Sequence, residues 1–181
     1  MSERRSLYLA KSRISPSQRA HFGIFYPHGN EPDHNLEEAY SSPPCKGTII
    51  HVVGEPLMSG FTLQFKRNCD EASLPDLKEL IFLGSTESSQ LFFPKDETYI
   101  EEDIPRSSIE RAATLISPPP KGQNLRLPID GIKTKRCQEW TIEYIHSLID
   151  LNLIDKSAHN IAEAHRDPPS HGIFGFKSNS S

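Results

Sequence analysis

Three residues far apart in the chain, His21, His51 and Cys137, are of the types that thiol catalysis requires. The chemistry needs a sulfur to attack, an imidazole to take its proton, a group to orient that imidazole and donors for the developing oxyanion. From Cys137 the positions Trp140, Tyr144, Ile145, Leu148 and Ile149 follow three, seven, eight, eleven and twelve residues on. That is the one-face spacing of an amphipathic helix. Thr134 is the expected N-cap, which puts Cys137 in the first turn. Unpaired backbone N–H groups and the positive end of the helix dipole favour a thiolate there, and Lys135 and Arg136 push the same way. The backbone N–H groups of the helix start, with the Gln138 amide as helper, are the candidate oxyanion donors. Trp140, on the same face as Cys137, reads either as a cleft wall or as a core anchor.

The elements that must position these residues change character halfway along. Leu7-Tyr8-Leu9, His21 to Tyr26, Gly47 to Val53, Phe61 to Arg67 and Leu80 to Leu83 are short runs rich in β-branched and aromatic residues, separated by Pro, Gly, Asn and Ser. They read as strands of an antiparallel sheet. His21 opens one of these strands and His51 lies in the middle of another, where a polar ring is unexpected unless a hydrogen bond fixes it. If those two strands are neighbours, both rings can share a face. Ser107 to Ile116 and Ser157 to His165 read as further helices, the first capped by Ser107 or Ser108 and stopped by Pro118, Pro119 and Pro120. The expected fold is α+β, an antiparallel sheet packed against the helix that carries the cysteine. A single domain over residues 1–166 and a flexible tail over 167–181 are expected.

The chain has 181 residues, 20 basic and 24 acidic side chains and a formal net charge of −4. No global basic excess draws it to nucleic acid. No run approaches the roughly 20 apolar residues that cross a bilayer. Three cysteines, Cys45, Cys69 and Cys137, fit neither a disulfide framework nor a paired-cysteine zinc motif, so a reducing, cytoplasmic setting is expected. Neither a metal nor a cofactor is implied: His28 and His34, with Glu31 and Asp33 between, match no ligand spacing and read as a polar loop. The acidic run Glu101-Glu102-Asp103 reads as a solvated turn.

His21-Phe-Gly-Ile-Phe, then Gly47-Thr-Ile-Ile-His-Val-Val-Gly, then a late helix beginning Arg136-Cys-Gln-Glu-Trp, resembles the circularly permuted papain-like proteins. That group includes lecithin retinol acyltransferase-like enzymes and PPPDE peptidases and is related to the NlpC peptidases. The resemblance spans about residues 5–155, with the histidine first and the cysteine last, as in the lecithin retinol acyltransferase-like and PPPDE families and the reverse of papain and the NlpC peptidases. A Cys-Gln-x-Trp helix start also resembles that of small fungal proteins, which adds a fold but no substrate. The resemblance implies a nucleophile at Cys137, a base at His21, a polar third member at His51, a thioacyl intermediate and a permuted papain-like fold. Where acyltransferases of the group have Asn before the cysteine and His two residues after it, this chain has Arg136 and Glu139, so their substrate class does not carry over. The expected activity is therefore hydrolysis or acyl transfer at an amide, isopeptide, ester or thioester of a small molecule or peptide. A non-catalytic binding protein on the same fold, and a small-metabolite enzyme using the His/Cys site for isomerisation, cyclisation or addition, are the alternatives.

Overall fold

A computed structural model describes residues 2–29, 46–70 and 77–171. Cys45, the Glu31, Asp33 and His34 group and most of the expected tail lie outside the described residues.

Six strands, β1 (Arg4–Ser12), β2 (His21–Pro27), β3 (Lys46–Glu55), β4 (Gly60–Asp70), β5 (Leu77–Glu87) and β6 (Ile100–Glu102), form one antiparallel sheet in the order β5-β1-β2-β3-β4-β6. Strands β1 to β4 are sequential neighbours. The remaining two close the edges, β5 on β1 and β6 on β4. Three helices follow, α1 (Ser108–Thr114), α2 (Cys137–Asp150) and α3 (Ser157–His165). The α+β architecture is thus present. The acidic run, expected as a solvated turn, instead contributes Glu101 and Glu102 to β6, because each carboxylate has a basic or amide partner on or beyond β4.

Period-two alternation assigns the two sheet faces. Leu7, Leu9, Phe22, Ile24, Ile50, Val52 and Phe65 point to the helices and meet Ile109, Trp140, Tyr144, Leu148, Ala158 and Ala162 in one core. Tyr8, Ala10, Phe25, Ile49, Cys69 and Leu80 form a second cluster on the other face. Each large apolar side chain so buried contributes about 1.5–3 kcal/mol. On α2 the predicted stripe is the buried one. Trp140 is fully buried, donates its indole N–H to the Ile116 carbonyl at 3.1 Å and stacks on Tyr144. It is a core anchor, because its ring points into the sheet–helix interface rather than to solvent.

Ser107 caps α1 as expected, accepting the Glu110 N–H at 3.2 Å. Glu110 then forms a bidentate pair with Arg67 of β4, at 2.7 and 2.9 Å, with both side chains buried. Arg67 also reaches Glu102 of β6. This arrangement fastens α1 to the far side of the sheet.

Glu110→Ala strands the Arg67 charge in the core and is expected to lower stability by about 3–5 kcal/mol, whereas the double change Arg67→Met with Glu110→Leu loses much less. Urea unfolding of both variants measures this, and equal losses would contradict it.

Candidate active site

The ladder between β2 and β3 pairs Ile24 with Ile50 through Pro27 with Gly47 and goes no further. Yet β2 extends back to His21, and β3 continues to Glu55. The two strands therefore fork at the end of the sheet, and His21 and His51 flank the fork. Both belong to the face opposite α2, since their sequence neighbours Phe22, Ile50 and Val52 face the helices. Gly23 makes this possible. A Cβ there would lie 3.2 Å from the His51 Cβ and 3.1 Å from the Ile49 Cγ2, so only glycine leaves His51 this close to β2 without displacement.

The two imidazoles are joined directly, His21 Nε2 to His51 Nδ1 at 2.8 Å. On its other nitrogen, His51 Nε2 lies 2.9 Å from Gln64 Oε1, and Gln64 Nε2 donates to Glu101 Oε2 at 3.1 Å. Burial, reinforced by the Lys66 charge, pushes His21 down from 6.5 to about 4. Burial and then its His21 neighbour push His51 down to about 3. Both rings are neutral at pH 7. They line a cleft of about 370 Å³ together with Ser12, Arg19, Val52, Phe61 and Lys66. Val52 and Phe61 come from the helix face and the histidines from the other, so the cleft opens through the fork.

Cys137 is the first residue of α2, as the sequence suggests, but the N-cap is Arg136 rather than Thr134. The Thr134 hydroxyl is taken up in its own turn, donating to the Pro128 carbonyl at 2.7 Å and accepting the Asp130 N–H at 2.8 Å. The cap hydrogen bond comes instead from Glu139, which accepts the Arg136 N–H at 3.0 Å. Lys135 likewise turns away from the thiol and pairs with Glu143.

The next two residues hold the helix start in place. Gln138 is fully buried; its Nε2 donates to the Ala20 carbonyl at 2.9 Å and to Asp167 Oδ2 at 2.8 Å, and its Oε1 accepts the Asp167 N–H at 2.9 Å. That amide is a clamp with its donors and acceptor engaged, so it is not free for the oxyanion role expected of it from the sequence. Asp167 also accepts from Ala20 N–H at 2.8 Å and from Arg13 at 2.7 Å. The expected flexible tail therefore begins too early: Asp167 is buried and pinned, because its carboxylate completes this network. Glu139 adds ion pairs to Arg19 at 2.8 Å and Arg166 at 3.0 Å.

The thiol itself donates toward the Ala20 carbonyl at 3.8 Å. The Phe22 and Gln138 N–H groups also point at the sulfur. Burial nonetheless raises the Cys137 thiol above its ordinary value, with Glu139 adding to the rise; the Phe22 N–H, Arg19 and Gln138 N–H oppose it without prevailing. The resting group is a neutral thiol, which corrects the thiolate expected from the helix dipole alone. Cys137 does not line the cleft, and among the described residues no hydrogen bond joins it to His21. It lies against Ala20 and Phe22, the two residues flanking His21, on the helix side of the sheet.

Gln64, Lys66, Arg19, Asp167 and Glu101 complete the site without having been singled out in the sequence. Gln64 and Lys66 alternate with the apolar Leu63 and Phe65, the pattern of a polar strand face. Only the pairing of His51 with Gln64 gives that face its chemistry.

The imidazoles also set an acid stability limit. His21, His28 and His51 fall to about 4, 4 and 3, each first through burial, from 6.5. The unfolded chain therefore binds protons that the folded chain refuses as pH drops below 6.5, and stability falls through that window toward pH 4. Asp167, held at about 2 because hydrogen bonds outweigh its burial, adds a loss only at lower pH. The urea midpoint is expected to decline steadily from pH 7 to pH 4.5 and to decline less in His51→Gln. A flat profile in the parent protein would contradict the burial argument.

Among the described residues no helix is long and apolar enough to cross a membrane. No curated protein and no solved structure matches the chain. One family model does match, over residues 7–155, and it covers the sheet, the fork, both histidines and Cys137. The chain therefore belongs to DUF6540, a family of unknown function.

Proposed function

We propose that this protein is a cysteine-dependent hydrolase or acyl-transfer enzyme acting at an amide, isopeptide, ester or thioester carbonyl. The observation that carries this reading is the convergence at one end of the sheet. A thiol at the first residue of α2 rests against the two residues flanking His21, and His21 is already held by His51 at 2.8 Å.

Cys137 is the nucleophile, His21 the base and His51 the orienting group. In the resting state the thiol and the imidazole are both neutral and lie on either side of the fork. A shift of the strand end that carries His21, where β2 and β3 are unpaired, brings imidazole and sulfur together with the His21–His51 bond kept. Each then supplies the opposite charge that burial denies it in isolation. The thiol proton passes to His21, and the sulfur attacks the carbonyl carbon of a substrate in the cleft. Backbone N–H groups at the start of α2 receive the oxyanion. The tetrahedral adduct collapses to a thioester as His21 returns the proton to the leaving group. Water or another acceptor, deprotonated by His21, then releases the acyl group and restores the thiol.

A second reading has an observation of its own. Cys137 stands outside the cleft lining and its thiol is raised by burial, which suits a protein that binds a small molecule beside the neutral histidines without attacking it. A cavity of about 370 Å³ is within the range of small-ligand sites.

Site-resolved alkylation by iodoacetamide across pH, followed by mass spectrometry, separates the two. Under the catalytic reading Cys137 reacts faster than the buried Cys69, and His21→Ala slows Cys137 alone. With an activated ester such as p-nitrophenyl acetate, Cys137→Ala abolishes the burst, and His21→Ala lowers turnover by about 10²–10⁴-fold. A Cys137 indifferent to His21, with turnover unchanged in folded Cys137→Ala, would end the catalytic reading and leave binding.

A further inference from the structure

We infer that Gln64 and Glu101 are positioning residues that fix the tautomers of both cleft histidines, leaving Nδ1 of His21 as the one proton-accepting nitrogen of the pair. The inference starts at the rim of the sheet. The carboxyl oxygens of Glu101 of β6 accept hydrogen bonds. Its Oε1 takes the Tyr99 hydroxyl and lies 3.8 Å from Lys66 Nζ, and its Oε2 takes Gln64 Nε2 at 3.1 Å. Among the described residues each of these partners is a donor.

That fixes the Gln64 amide with its nitrogen toward Glu101 and its oxygen toward His51. An amide oxygen only accepts, so His51 Nε2, 2.9 Å away, carries hydrogen. A neutral imidazole has one N–H, so His51 Nδ1 is bare and accepts. His21 Nε2, 2.8 Å from it, must donate, and the remaining His21 nitrogen, Nδ1, keeps its lone pair. The neutrality that this chain of assignments requires agrees with the desolvation that lowers the proton affinity of both rings. No described residue hydrogen-bonds His21 Nδ1. Reversing any link would set two donors or two acceptors face to face in a partly buried site, so the orientation imposed at the surface carries inward.

Its role in catalysis rests on the proposed function, since Nδ1 would be the atom that takes the Cys137 proton; the tautomer assignment does not. Long-range proton–nitrogen NMR correlation on the full chain with labelled histidine, at pH 7, reads the tautomers directly. The parent protein should show N–H at Nε2 of both His21 and His51. Gln64→Leu, close in size but with no acceptor, should give His51 and then His21 a mixture with Nδ1–H, whereas the exchange Gln64→Glu with Glu101→Gln, which keeps an acceptor on His51 and a donor between the two side chains, should retain the parent pattern. Glu101→Gln guards against misfolding, because the site is a surface one; it frees the Gln64 amide to flip and should produce the same mixing more weakly.

Ester turnover dependent on Cys137 should fall about tenfold or more in Gln64→Leu and be kept in the exchange Gln64→Glu with Glu101→Gln. A parent spectrum with Nδ1–H at His51, or rings unmoved by both Gln64→Leu and Glu101→Gln, would overturn the inference. Tautomers that respond while Cys137 reactivity ignores His21 would sustain it and remove only the catalytic reading. Reactivity that depends on His21 with unresponsive tautomers would do the reverse.

Discussion

The site depends on the buried Gln138 amide. It joins the first turn of α2 to the Ala20 carbonyl and to Asp167, and Asp167 returns to the Ala20 N–H. Two peptide groups beside His21 and the helix start that carries Cys137 are thereby locked into one hydrogen-bonded unit. Glu139 reinforces it through Arg19 and Arg166, placing negative charge near the positive end of the helix. In a buried site such bonds are stronger than in water, and an unpartnered member is correspondingly costly. Segments 13–20, 136–139 and 166–167 therefore hold their relative positions together.

The second constraint is the fork. Pairing between β2 and β3 ends at Ile24 and Ile50, while both strands continue. A sheet is normally an impermeable layer, with every backbone group in the ladder and each side chain committed to one face. Here the lost pairings open a passage at the strand ends. Neutral imidazoles line it from one face and Val52 and Phe61 from the other. The thiol lies on the helix side, against the Ala20 carbonyl and the Phe22 N–H that flank His21. Side-chain alternation keeps the two groups on opposite faces of the sheet, and the strand end that carries His21 is unpaired with β3.

Electrostatics reinforce that separation. Helix-dipole reasoning favours a thiolate at Cys137, yet removal from water is the larger effect and holds the sulfur protonated. The same desolvation holds the histidines neutral, with Lys66 adding to it. A neutral resting state suits a buried site, because an isolated charge in a low-dielectric pocket lacks the partner that would stabilise it.

Much of this was legible in the sequence. Strand periodicity at Phe22, Ile24 and Tyr26 and at Phe61, Leu63 and Phe65, the helical stripe from Trp140 to Leu148 and the Ser107 cap are local patterns, written in residues a few positions apart. Local periodicity therefore determined the element types, the buried face of α2 and the placement of Cys137 at its start. Partners many residues away had no such signature. That Gln138 grips Ala20 and Asp167, that Glu139 rather than Thr134 caps α2, that Glu101 joins an edge strand and orders a chain through Gln64 to His51, and that two ladders part at Ile24 were decided only by the tertiary structure. The physical reason is that hydrogen-bond partners and desolvation are properties of what surrounds a group in space, whereas sequence spacing reports only which face of its own element a group occupies.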